Sequence, residues 1–172
     1  MAATVLIALG SNRRHRVGDP GRVLDAAVVA LKAAGLGIVA RSRTRTTAPL
    51  GPGGRAYANA VVEVTAGELT LPALLAMLQA IEARFGRRRG RRWGARVLDL
   101  DILAAGNNVY PSPLRWGRAR GLAVPHRAIA ERRFVLDPLV EIAPGWRHPL
   151  LHSTARQLRA KLRRPKATTA SP

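Results

Sequence analysis

Apolar positions in this chain recur with two spacings, two residues and three to four residues, and each change of spacing marks a new element. TVLIAL, with its apolar run from Val5 to Leu9, reads as a short buried strand closed by a turn at Gly10-Ser11-Asn12. Asp19 and Pro20 supply an N-cap and a first-turn proline, Val23, Leu24, Ala27, Val28 and Leu31 follow at helical spacing, and Gly35 is a C-terminal stop. Rough alternation returns from Gly37 to Thr46 and again from Tyr57 to Thr65, which predicts two more strands. Between them TAPLGPGGRA is too rich in proline and glycine for regular structure, and a long irregular loop in a compact domain is often functional. Thr70 then caps a helix with Leu71, Leu74, Leu75, Leu78 and Ile81 on one stripe and Gly86 at its end. An arginine-rich segment leads into VLDLDILAAG, a strand that stops at Gly106-Asn107-Asn108.

In order, these elements are β-α-β-β-α-β. The expected class is therefore α+β, a ferredoxin-like core with an antiparallel sheet, both helices on one face, and extra C-terminal helices. VPHRAIAERRFVLDPLVEIAP predicts a turn, a short helix and a second helix interrupted near Pro138, and LLHSTARQLRAKL predicts an amphipathic terminal helix. The expected organisation is one domain over residues 1–162, followed by a disordered basic tail over 163–172 that has no apolar residue beyond alanine.

Composition narrows the chemistry. A chain of 172 residues with 47% hydrophobic and 23% charged positions is long enough for one full core. It has no cysteine, which excludes disulfides, thiolate metal sites and a thiol nucleophile. No stretch approaches the ~20 apolar residues of a spanning helix, and Val5 to Leu9 is too short for a secretory core. The expectation is a cytoplasmic protein that does not engage a membrane. A net charge of +19, carried almost wholly by arginine, would attract polyanions but does not choose among them.

The most specific local pattern is RWGARVLDLDI, residues 92–102. Side chains alternate along a strand, so Asp99 and Asp101 share one face while Leu98, Leu100 and Ile102 share the other. Two carboxylates so close call for cations. Those cations could be the arginines between Arg84 and Arg96, giving a solvated ion-paired face, or magnesium held by the carboxylates together with substrate phosphates.

With IALGSN, PLGP, the Y-x-N at Tyr57, I-E at Ile81, RWG-x-R-x-LDLDI, VPH, R-x-F and P-L-x-E-I-A-P in the same order over residues 5–144, the chain resembles the 6-hydroxymethyl-7,8-dihydropterin pyrophosphokinase family. The resemblance implies a magnesium-dependent enzyme of folate biosynthesis that moves the diphosphate of ATP onto the hydroxymethyl oxygen of the reduced pterin and releases AMP. It implies Asp99 and Asp101 as ligands of two magnesium ions, with Arg87 and Arg96 on the phosphates during transfer. At ATP it implies Gln79, Glu82, Arg89, Trp93, Ile102, His126, Arg127 and Arg132, with Trp93 closing over the site. At the pterin it implies a sandwich of Tyr57 and Phe134, with Thr47, Leu50 and Asn59 reading the ring edge. A monomer is expected, and nucleic acid is not expected as a specific partner.

Two positions depart from the family pattern. Gly121 and Ala123 stand where a basic residue and a threonine usually touch ATP, and WGRARG before Leu122 is an insertion. Arg118 or Arg120 can return the charge, whereas Ala123 cannot supply a hydroxyl. Two other functions are weighed against the enzyme: a basic ferredoxin-like nucleic-acid-binding module, which calls for aromatics exposed on the sheet, and an inactive pterin- or nucleotide-binding relative, which the intact D-x-D disfavours.

Overall fold

The computed structural model describes residues 4–48, 55–86 and 96–162. Strands β1 (Thr4–Ser11), β2 (Gly37–Arg41), β3 (Arg45–Thr47), β4 (Tyr57–Thr65) and β5 (Asp99–Ala105) form one antiparallel sheet in the order β2-β4-β1-β5, with β3 beside β4. Helices α1 (Pro20–Ala33) and α2 (Leu71–Arg84) follow β1 and β4, so the succession is the ferredoxin-like βαββαβ that the periodicity implies, with its second strand split into β2 and β3. Asp19 and Thr70 cap the two helices through their side-chain oxygens, and Gly35 and Gly86, both at positive φ, lie just past the helix ends.

Period two divides the sheet residues between two cores. Ile7 and Leu9 of β1, Ala60, Val62 and Val64 of β4, and Leu98, Leu100 and Ile102 at β5 pack beneath Val23, Leu24 and Leu31 of α1 and Leu74, Leu78 and Ile81 of α2. On the opposite face Leu6, Val61 and Leu103 meet Val135, Leu136 and Leu139 of α4 (Arg133–Ile142) and Leu158 of α5 (Ala155–Lys161). Each fully buried leucine or valine contributes about 1.5–3 kcal/mol. Helices thus lie against both faces, which is unlike the open aromatic platform of an RNA-binding sheet.

Several expected boundaries shift, each because a distant partner intervenes. The strand expected from Gly37 to Thr46 is two strands, β2 and β3. The break falls at Ser42, whose buried hydroxyl accepts the Val61 N–H at 3.0 Å, while the Arg43 N–H turns to Glu141 Oε1 at 2.9 Å. β1 runs through Gly10 to Ser11 instead of ending there, since both pair with β4. Pro138 sits inside α4 and does not interrupt it: one intrahelical bond is forgone, and burial of Val135, Leu136, Pro138 and Leu139 outweighs that loss. The terminal helix starts only at Ala155, where Thr154 and Gln157 form a capping box, because residues 150–152 are turned back by His148. A short helix, α3 (Pro113–Trp116), was not expected. The tail expected over 163–172 lies outside the described residues.

Candidate functional site

β5 is an edge strand, and its first residues need partners that β1 does not supply. The Leu100 N–H donates to Glu82 Oε1 at 2.8 Å. Glu82 itself is buried beneath α2 on the face opposite the aspartates, so its carboxylate fixes the backbone between Asp99 and Asp101. Residue 96 is tied to the end of β1 in the same way: Asn12 Oδ1 accepts the Arg96 N–H at 2.8 Å and the Asn12 N–H donates to the Arg96 carbonyl at 3.2 Å. The local sequence places Asn12 in a turn, and the pairing with Arg96 gives it a second role as an anchor. From that anchored position the Arg96 guanidinium reaches Asp99 Oδ1 at 2.6 Å.

Leu98, Leu100 and Ile102 point into the core beneath α1 and α2, which leaves Asp99 and Asp101 together on the α4 side. Burial and the neighbouring Asp99 push the Asp101 carboxyl above its ordinary range, against the pull of His126, Arg132 and Arg96. Burial disfavours the charged Arg96 as well. The carboxylates of Asp99, Asp101 and Glu82 more than restore it, so its pKa stands above the usual value. His126 is held below the ordinary histidine value by burial and by Arg132 and Arg127, despite the two aspartates, and is neutral at pH 7. Its Nδ1 accepts the Ala128 N–H at 3.2 Å, so the proton sits on Nε2. Arg132 lies 5.8 Å above the Phe134 ring, which links this cationic cluster to the start of α4.

Across the sheet from Asp99, β1 presents Gly10, and beyond it β4 presents Asn59. A side chain at Gly10 would stand 3.8 Å from Asn59 Oδ1 and 3.9 Å from Asp99 Cβ, so the absence of one opens a floor between them. Asn59 Nδ2 donates to Thr47 Oγ1 at 2.9 Å, leaving one N–H and the carbonyl oxygen of a buried amide to face a ligand. Tyr57 lies two residues before Asn59 on the same face, paired with Thr47. Opposite, Glu141 of α4 receives the Arg43 N–H and the Arg45 guanidinium at 3.1 Å, which holds β3 against the helix that carries Phe134.

Of the expected residues, the structure gathers Arg96, Asp99, Asp101, His126 and Arg132 into one electrostatic cluster, with Phe134 beside Arg132 and with Thr47, Tyr57 and Asn59 on the same sheet face. Arg127 is exposed next to His126, and Gln79 is exposed on α2. Ile102 differs from expectation in one respect: its side chain is in the core, so only its backbone lies toward the aspartates. Leu50, Arg87, Arg89 and Trp93 lie outside the described residues.

The donor set suits a hard dication. Two carboxylates share a face, and no group of three or more metal-binding side chains occurs among the described residues, so water and phosphate oxygens would have to complete the shell, as magnesium prefers. Among the described residues no helix is long and apolar enough to cross a membrane.

Comparison with known proteins shows the family and the fold. Residues 6–144 match the 7,8-dihydro-6-hydroxymethylpterin-pyrophosphokinase family. A 2-amino-4-hydroxy-6-hydroxymethyldihydropteridine pyrophosphokinase of Methylorubrum extorquens is 43% identical over 140 residues, 80% of this chain and 81% of the relative. Proteins of the same name from Haemophilus influenzae and Pseudomonas aeruginosa are 40% and 38% identical, covering 81% and 87% of this chain and 81% and 86% of their own. The crystal structure of wild-type Plasmodium falciparum HPPK-DHPS superposes with a TM-score of 0.71 at 14% identity, over 94% of this chain and 45% of that much longer one.

Proposed function

This chain belongs to the 7,8-dihydro-6-hydroxymethylpterin pyrophosphokinase family, and on that premise we propose how its residues divide the work of the reaction. The activity is transfer of diphosphate from ATP to the hydroxymethyl group of the dihydropterin, a step of folate biosynthesis that yields AMP and the pterin diphosphate. Phosphoryl transfer of this kind rests on positioning and charge stabilisation more than on covalent chemistry by the protein.

Asp99 and Asp101 are the residues that would hold two magnesium ions. A dication held by this pair would supply charge neutralisation to the polyphosphate of ATP. The observation that carries this reading is the placement of both carboxylates on one face, with Asp101 partly buried beside its like-charged neighbour and its pKa raised. That arrangement is unfavourable in the bare protein and becomes favourable with a dication. Arg96 is anchored by Asn12 and ion-paired to Asp99, so its guanidinium is positioned at the pair before any nucleotide arrives. Neutral His126 donates its Nε2 proton toward a phosphate oxygen and does not act as a strong base. Arg132 and Arg127 add cationic charge, and Glu82 serves by holding the β5 backbone. Arg87, Arg89, Gln79, the Ile102 backbone and a closing Trp93 complete the nucleotide side.

The pterin lies against Asn59, with Tyr57 and Phe134 on its two faces and Thr47 and Leu50 at its edge. Asn59 and Asp99 are two strand spacings apart, about 9–10 Å, a distance that a flat bicyclic ring and its one-carbon arm can bridge over Gly10. The chain acts as one domain and as a monomer in the cytoplasm.

The test is release of AMP from ATP and 6-hydroxymethyl-7,8-dihydropterin by the purified protein, with magnesium titrated from zero. Activity that requires magnesium and saturates with it supports the assignment. Full turnover in a chelator removes Asp99 and Asp101 from the metal role.

A further inference from the structure

The connection from β5 to α4 leaves the sheet at Gly106 and returns at Pro125, and on the way its short helix α3 buries no residue and exposes Leu114 almost completely. A Tyr110–Val124 bridge closes the neck of this excursion, the Tyr110 N–H donating to the Val124 carbonyl at 2.8 Å and the Val124 N–H to the Tyr110 carbonyl at 3.2 Å, and a pair of indoles secures its two ends. Trp146 donates Nε1–H to the Gly106 carbonyl at 3.2 Å, and Trp116 donates Nε1–H to the Pro125 carbonyl at 2.7 Å. Both rings meet the same buried histidine: His148 lies 5.6 Å from Trp146 and 6.1 Å from Trp116, the latter edge-on at 88°. The His148 Nδ1 accepts the N–H groups of Leu150 and Leu151, each at 3.2 Å, so the ring is itself locked.

The Pro125 carbonyl belongs to the peptide unit that continues into His126. The other polar group of that unit, the His126 N–H, donates to the Leu103 carbonyl of β5 at 2.8 Å. One peptide plane is therefore held at both ends, by a strand on one side and by Trp116 on the other. The orientation of that plane sets the direction in which the His126 side chain leaves the backbone. Ala123, nearby in the same segment, has no polar side chain to share this task.

We propose that Trp116, within the insertion, is a positioning residue for the nucleotide end of the site, acting through the Pro125–His126 peptide. The proposal rests on the reading that His126 meets the triphosphate. Trp116→Phe keeps an aromatic ring against His148 and removes the N–H donor together with part of the ring, a loss of packing that the Trp146→Phe control shares. The expected result is a KM for ATP raised about three- to tenfold, the value of one hydrogen bond, with the KM for the pterin unchanged. Trp146→Phe removes the matching bond at Gly106 and is the control, expected to leave the KM for ATP alone. Loss of Trp116 should add nothing to His126→Ala, since the two act on one contact.

An unchanged KM for ATP in Trp116→Phe, or an equal rise in Trp146→Phe, overturns the proposal. If His126→Ala leaves the KM for ATP unchanged, the reading of His126 fails first and the two failures are told apart. The intact chain gives an independent measurement through 5-fluorotryptophan incorporation and fluorine NMR. A nonhydrolysable ATP analogue should shift the Trp116 resonance and the pterin alone should not. A Trp116 signal indifferent to nucleotide also overturns the proposal.

Discussion

Beneath α1 and α2 the sheet is closed by Ile7, Leu9, Val62, Val64, Leu100 and Ile102 against helical leucines, whereas on the other face Asn59, Asp99 and Asp101 lie beside Leu6, Val61 and Leu103. The first face carries one buried carboxylate, Glu82, and it is satisfied by a backbone N–H. The second holds two carboxylates whose mutual repulsion Arg96, Arg132 and His126 offset only in part, so that the Asp101 pKa stays raised. One strand, β5, belongs to both faces, and its period of two keeps them separate. Apolar packing under α1 and α2 thus supplies stability that offsets the cost of a charged site on the reverse.

The sharpest way to break this comparison is to remove one of the aspartates. Asp99→Ala or Asp101→Ala should lower AMP formation by about 10³-fold or more, given that metal stabilisation of the transition state is worth several kcal/mol, while far-UV circular dichroism stays native. Retained turnover would mean that the two faces do not differ in function. The converse substitution is Leu78→Ala, in the core beneath α2. It should cost about 2–5 kcal/mol in urea unfolding and leave the turnover of the folded fraction unaltered. A kcat that fell with stability would show the faces to be coupled.

A subtler test asks whether the site is costly in the free protein. Asp101 has its pKa raised in the folded state, so the stability linked to it is present below the ordinary carboxyl range and lost as pH rises through the folded value. Asp101→Asn removes that loss. Metal-free Asp101→Asn should therefore melt higher than the parent at neutral pH, by about 2–4 °C for each kcal/mol relieved, and the gain should vanish below about pH 4. A variant that melts lower at neutral pH would contradict the electrostatic account.

The smallest effect concerns the histidines on the site side. His148 is lowered by burial and by His152, and His126 by burial and its arginines. The unfolded chain takes up these protons first, so stability present above about pH 6.5 should be lost as pH falls through the folded values. Near-UV circular dichroism from Trp116 and Trp146, which pack on His148, should weaken over the same range. An unchanged signal down to pH 5 would separate His148 from the packing of the indoles.

Apart from the split of β2 from β3, local pattern alone settled the succession of strands and helices through β5, the caps at Asp19 and Thr70, and the shared face of Asp99 and Asp101. Periodicity and capping act within a turn or two of chain, so a sequence records them directly. The motifs from IALGSN to EIAP also carried the family. Tertiary structure decided the rest. Ser42 breaks a strand because Val61 needs its hydroxyl, Glu82 is buried because Leu100 needs an acceptor, Pro138 is tolerated because its neighbours face a core, and Asn12 matters because Arg96 must be anchored. Each of these depends on a backbone or packing partner many residues away, and no local spacing encodes which donor will meet which acceptor once the chain has closed.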